Sequence, residues 1–149
     1  MGEPDTPGQL KDRALRYLAR REHSRAELAR KLAPRAASAE ALDALLEELA
    51  SKKQLSDARY AEERARSLAR KYGPAKIRQD LRSRGIADEL IDALPLDGEL
   101  ELARQALSRR FRLPARTREE QAKRGRFLQG RGFSLEVIHR LLRGIDESS

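Results

Sequence analysis

The sequence predicts an all-α protein of three tandem three-helix repeats that form an elongated, curved body. Three observations predict it. Apolar residues recur at helical spacing throughout, and no segment shows the strict alternation of a strand. Helix start and stop residues punctuate those stripes at short intervals. The pattern also repeats. Ala122 to Leu142 lies over Ala75 to Pro95 without a gap, with 8 of 21 positions identical, and Ala26 to Leu45 lies over Ala75 to Leu94 with 7 of 20. Random overlap would match about one position in fifteen to twenty. A fixed period of this size marks stacked units that bury their apolar faces against their neighbours.

The expected divisions are a disordered lead-in at 1–8, repeats at 9–54, 55–96 and 97–145, and a frayed tail at 146–149. Two Pro and two Gly lie in the lead-in. The first repeat opens with a helix near Gln9 to Glu22, striped by Leu10, Ala14, Leu15 and Leu18. Ser24 is the N-cap of the next helix, Arg25 to Leu32, with Glu27 as the other half of a capping box; Pro34 follows its end. Ser38 caps a third helix whose inner face is Ala41, Leu42, Leu45, Leu46 and Leu49.

The second repeat starts at Asp57, with a helix to about Lys71 carrying Ala58, Ala61, Ala65 and Leu68 inside. A Gly73-Pro74 corner follows, then a short helix striped by Ile77 and Leu81. Pro74 fits a first helical turn, where its missing N–H costs nothing. Gly85 ends that helix in the left-handed conformation, and Ile86, Leu90, Ile91 and Leu94 stripe the next. The third repeat uses Leu102, Ala103, Ala106, Leu107 and Phe111, then a loop with Pro114. Thr117 caps a helix through Leu128, with Glu120 at the capping-box position. Gly130 and Gly132 end it, and Ser134 caps a last helix that turns Val137, Ile138, Leu141 and Leu142 inward. Arg124 stands where the second repeat has Ile77, so the third repeat is expected to pack differently.

Charged residues are 38% of the chain and aromatics 4%, so the core is thin and built from Leu, Ala and Ile. With no cysteine, disulfides and thiolate metal sites are excluded. No apolar run approaches the roughly 20 residues that span a membrane, and the N-terminus has no signal pattern, so a cytoplasmic protein is expected. No catalytic residue, cofactor site or metal site is assigned. His23 and His139 stand in different repeats without ligand spacing and read as helix-surface residues. The carboxylates mostly alternate with Arg at spacings that suit surface pairs.

The net charge is +8, which favours a polyanion or an acidic protein surface as partner. Nine basic residues lie between Arg109 and Arg131 against Glu119 and Glu120, and five between Lys71 and Arg84 against Asp80. On the middle helices of repeats two and three, the residues facing away from Leu81 and Leu128 are repeatedly basic. Phe111, Phe127 and Phe133 read as core, which leaves Tyr17, Tyr60 and Tyr72 as possible base-stacking residues.

Together, the central LSDARYAEERARSLARKYGPAKIRQDLRSRGI, the earlier SRAELARKL and the later AKRGRFLQGRGF resemble the bacterial RecX regulators of recombination. The Asp-x-x-Tyr-Ala element falls on Asp57, Tyr60 and Ala61. Gly-x-x-x-Ile-x-x-x-Leu-x-x-x-Gly falls on Gly73, Ile77, Leu81 and Gly85, and the final element on Phe127, Leu128, Arg131, Gly132 and Phe133. The resemblance covers about Leu10 to Gly144. It implies a non-enzymatic protein that binds the RecA recombinase filament on single-stranded DNA; a monomer with weak binding of free DNA is expected. It further implies inhibition of RecA's ATPase, strand exchange and coprotease activities, by blocking filament growth or promoting disassembly. The candidate contacts to RecA and DNA are Lys76, Arg78, Arg82, Lys123, Arg126 and Arg131. A direct DNA-binding protein with helix-turn-helix-like repeats is the alternative, although Asn, well suited to reading bases, is absent.

Overall fold

The computed structural model describes the backbone of residues 2–148 and side chains through Arg143. Among the described residues there is no strand; the elements are nine α-helices and one short 3-10 turn. In order they are α1 (Pro7–Arg20), α2 (Arg25–Leu32), the 3-10 turn Ala33–Arg35, α3 (Ala39–Ser51), α4 (Asp57–Leu68), α5 (Pro74–Ser83), α6 (Asp88–Asp92), α7 (Glu99–Arg110), α8 (Arg118–Gly130) and α9 (Leu135–Ser148). The chain is all-α in three-helix repeats.

Side-chain caps set most of these starts. Ser24 accepts from the Glu27 N–H at 3.0 Å, Ser38 from Ala41 at 3.0 Å and Thr117 from Glu120 at 3.1 Å. The reciprocal halves of the two expected capping boxes go elsewhere. The Glu27 carboxylate takes the Arg21 guanidinium at 2.8 and 3.0 Å, and that of Glu120 takes the Arg116 N–H at 2.7 Å. A complete box forms instead at Thr6 and Gln9, with Pro7 in the first turn.

That box corrects the expected lead-in. Asp5 is buried, its N–H bonded to the Arg35 carbonyl at 2.8 Å and its carboxylate held by Arg13 at 2.8 Å and Arg35 at 3.1 Å. The chain is therefore tied down from Asp5 onward rather than from Gln9. The expected frayed tail, 146–149, lies outside the described side chains.

The chain divides into two compact units. One comprises residues up to Arg64 together with Leu81–Leu94; the other comprises Ala65–Asp80 together with everything from Pro95. The first unit centres on Leu10, Ala14, Leu28, Leu32, Leu45, Leu46, Leu49 and Leu55. Truncating one of its fully buried leucines, such as Leu28, should cost about 2–5 kcal/mol through lost transfer energy and the cavity left behind. His23 is buried in this unit, not on the surface. Its ring lies 5.7 Å from that of Tyr17, Nδ1 is 3.1 Å from the Arg21 carbonyl, and Nε2 is 3.0 Å from Lys31 Nζ. Burial pushes its pKa below the usual value. Tyr60 is also buried, which removes it from the stacking residues, whereas Ala58 is exposed.

The second unit centres on Ala103, Ala106, Leu128, Phe133, Val137 and Ile138. Arg124 does pack differently from Ile77: its guanidinium lies over the Phe111 ring at 4.8 Å and donates to the Leu113 carbonyl. Phe111 in turn meets Phe127 edge to face at 5.6 Å.

One joint between successive repeats recurs in both units. In the first, the Ser24 hydroxyl donates to the Arg84 carbonyl at 3.4 Å, and a Cβ on Gly85 would stand 2.8 Å from that of Ala26. In the second, the Gly73 N–H donates to the Arg131 carbonyl at 2.7 Å, and a Cβ on Gly132 would stand 2.5 Å from that of Lys76. Ser24 and Gly73 are 49 apart, and the turn pairs Arg84-Gly85 and Arg131-Gly132 are 47 apart, close to the sequence period. Gly85 has φ of 83° and Gly132 of 91°, conformations that glycine alone adopts at little cost.

Candidate nucleic-acid and protein interface

A dense positive region of the second unit forms where helices end. Arg70 and Lys71 lie in the turn that follows α4, Arg109 and Arg110 in the last turn of α7, and Arg131 at the C-cap of α8. Together with Ala106 and Phe127 they line a cleft of about 220 Å³. Helix C-termini carry roughly half a negative charge each, which explains why cations are tolerated there. Three such ends supply about one and a half negative charges against five positive ones. The cleft stays positive, and among the described residues no carboxylate lines it.

Two of these arginines are anchored to the backbone. Arg109 Nη1 donates to the Arg70 carbonyl at 2.7 Å and Arg131 Nη1 to that of Lys71 at 3.4 Å, which caps the turn beyond α4. A guanidinium has five N–H donors, so each keeps most of them for another acceptor. Arg131 also lies over the Phe127 ring at 5.0 Å and the Tyr72 ring at 5.5 Å, contacts that hold its plane.

The six sequence-derived candidates are distributed as follows. Lys76 joins Arg131 at Tyr72: its ammonium is 5.8 Å from the ring centroid and 3.3 Å from the Gly130 carbonyl. Arg78 is half-buried on α5. Arg82, in the first unit, pairs with Asp88 at 3.1 Å, and both side chains are largely exposed. Lys123 and Arg126 are exposed on α8. Arg126 also borders a groove of about 750 Å³ that α8 and α9 share, with Arg118, Arg143 and His139 on its rim and Ile138 and Leu142 on its floor. Only Lys76 and Arg131 are brought into one cluster. Arg70, Lys71, Arg109 and Arg110 were not among the candidates, although three of them lie in the two basic runs.

Among the described residues no three His, Cys, Asp or Glu side chains converge as a metal-ligand set. No helix among them is long and apolar enough to cross a membrane. The pKa of Glu27 is held down to about 2 by the Arg21 guanidinium. Its partners give it the geometry of a structural ion pair.

Family models for the three three-helix domains of RecX match the chain in order: the first at 11–49, the second at 56–94 and the third at 97–142. This chain belongs to the RecX family. A regulatory protein RecX of Leptothrix cholodnii is 48% identical over 140 residues, covering 92% of this chain and 89% of the relative. The RecX of Ectopseudomonas mendocina is 45% identical, covering 96% of this chain and 99% of the relative. Among solved structures, the crystal structure of RecX from Lactobacillus salivarius superposes with a TM-score of 0.79 at 25% identity. It covers 95% of this chain and 97% of that one. Both relatives carry the name of a regulatory protein.

Proposed function

We propose that this chain is a non-enzymatic, cytoplasmic regulator that binds as a monomer to the filament RecA forms on single-stranded DNA. It inhibits the filament's ATPase, strand-exchange and coprotease activities by blocking growth or promoting disassembly, and it binds naked DNA weakly. The observation that carries this reading is the match of all three repeats, in order, to the RecX domains. Positive side chains in both units add physical support, because a protein–DNA filament offers acidic side chains and phosphates to exposed Arg and Lys. Lys76, Arg78, Arg82, Lys123, Arg126 and Arg131 are the proposed contacts.

Co-sedimentation with RecA filaments tests the reading. Wild-type protein should pellet with RecA assembled on single-stranded DNA, and the triple variant R78E/R82E/R126E should stay in the supernatant with its helical circular dichroism intact. Pelleting of the variant at the wild-type level would remove those three residues from the contact surface. Failure of the wild type to pellet, combined with tight sequence-selective duplex binding, would replace the reading with a direct DNA-binding protein.

A further inference from the structure

We infer that the cleft formed by Arg70, Lys71, Arg109, Arg110 and Arg131 is a binding site for successive phosphates of a single nucleic-acid strand, usable without any protein partner. The inference builds on the proposed function by naming what this cleft contacts. It starts from a local imbalance. Several basic side chains of the first unit meet carboxylates: Arg25 meets Asp43 and Glu47, Arg59 meets Glu22, and Lys11 and Lys52 meet Glu48. In the cleft five cations converge on about 220 Å³, and among the described residues no carboxylate lines it. Clustered like charges repel, so an arrangement serving only solubility would disperse them among acids.

The geometry favours phosphate. Arg109 and Arg131 are held by backbone carbonyls and present rigid forked donors, which match phosphate oxygens in pairs. Arg70, Lys71 and Arg110 are exposed around them. The Phe127 and Ala106 floor, with Tyr72 beside it under Lys76 and Arg131, gives apolar surface for the sugar and base of the same strand. An acidic peptide would find the same charge but gains less from that floor, and it is the competing occupant.

The test is the anisotropy of a labelled oligo(dT) strand titrated with the full chain, without RecA, at about 50 and 200 mM salt. R70Q/K71Q should weaken binding roughly tenfold. It should also shrink the salt slope by about 0.7 for each phosphate that is no longer neutralised. Arg110→Gln, on a different helix, should weaken binding as well. R16Q/R30Q, an equal charge loss in the first unit, should keep the wild-type affinity and slope. Wild-type behaviour of R70Q/K71Q would overturn the inference, and so would an equal loss in R16Q/R30Q. Tighter binding of a labelled oligoglutamate than of oligo(dT) would also overturn it and assign the cleft to an acidic protein segment. Inhibition of RecA's ATPase by the wild type is scored separately, so failure of the phosphate site and failure of the RecA reading are different results.

Discussion

Replacing Gly73 with Ala tests the joint through which the second repeat docks onto the third. A Cβ built there stands 2.5 Å from the Gly132 carbonyl oxygen, 2.7 Å from its carbon and 2.8 Å from a Phe133 ring carbon. Two of those three neighbours are backbone, which cannot rotate aside. The docking must therefore open, at a cost of about 1–3 kcal/mol from overpacking. Opening also stretches the Gly73 N–H bond to the Arg131 carbonyl, 2.7 Å, and that of Ala75 to Gly132, 3.3 Å. A backbone bond contributes about 1 kcal/mol net. Stiffening the unfolded chain returns roughly 0.4–1 kcal/mol. The balance is a destabilisation of about 2–3 kcal/mol, or a melting temperature lower by roughly 5–10 °C for a chain of this size. Gly130→Ala is the control, because Gly130 ends α8 with nothing within 4 Å of its Cβ; it should be neutral or slightly stabilising. Urea unfolding followed by circular dichroism reads both variants. If Gly73→Ala lies within about 0.5 kcal/mol of the wild type, the account of the joint is wrong.

Further expectations follow from other sites. Gly85→Ala combines a φ of 83° with a 2.8 Å approach to Ala26, and should cost the first unit about 2 kcal/mol in the same urea assay. Glu27 has its pKa depressed from 4.5 to about 2, so its contribution is present above pH 4.5 and is lost as the pH falls toward 2. The shift converts to about 3 kcal/mol at face value, and screening around the half-exposed Arg21 reduces it to about 1 kcal/mol. Melting curves should therefore show Glu27→Gln losing its disadvantage in strong acid. His23 is also depressed, below 6.5, so its neutral form stabilises the fold above that value and the benefit fades as the pH drops through the lowered pKa. Exchanging His23 for Gln should flatten the first part of the acid limb of the melting profile.

The parts of the fold that depend on near neighbours were legible in the sequence. Ser24, Ser38 and Thr117 cap the helices they precede, and Leu45, Leu46 and Leu49 form the buried stripe expected of α3. The start of α1 is not legible, because Pro7 and Gly8 look like linker until Thr6 and Gln9 are recognised as a capping box around a proline in the first turn. Asp5 is buried by Arg35, thirty residues away, and such a contact leaves no local pattern. His23 likewise reads as a helix-surface histidine until Tyr17 and Lys31 enclose it. The glycines of the joint were visible as turn residues, but their role in close backbone approach depends on the following repeat. For the interface, charge density marks the two basic runs in the sequence, but it does not show which of their side chains come together in space. Arg70 and Lys71 become neighbours of Arg109, Arg110 and Arg131 only because three helices end in one place.

The most direct test of the central claim is RecA's single-stranded-DNA-dependent ATPase, followed as wild-type protein is titrated in. The account predicts a fall in hydrolysis with fewer protein molecules than RecA subunits, since acting on filament growth or disassembly does not require covering each subunit. An ATPase rate that holds steady to a full molar excess of this chain would contradict it.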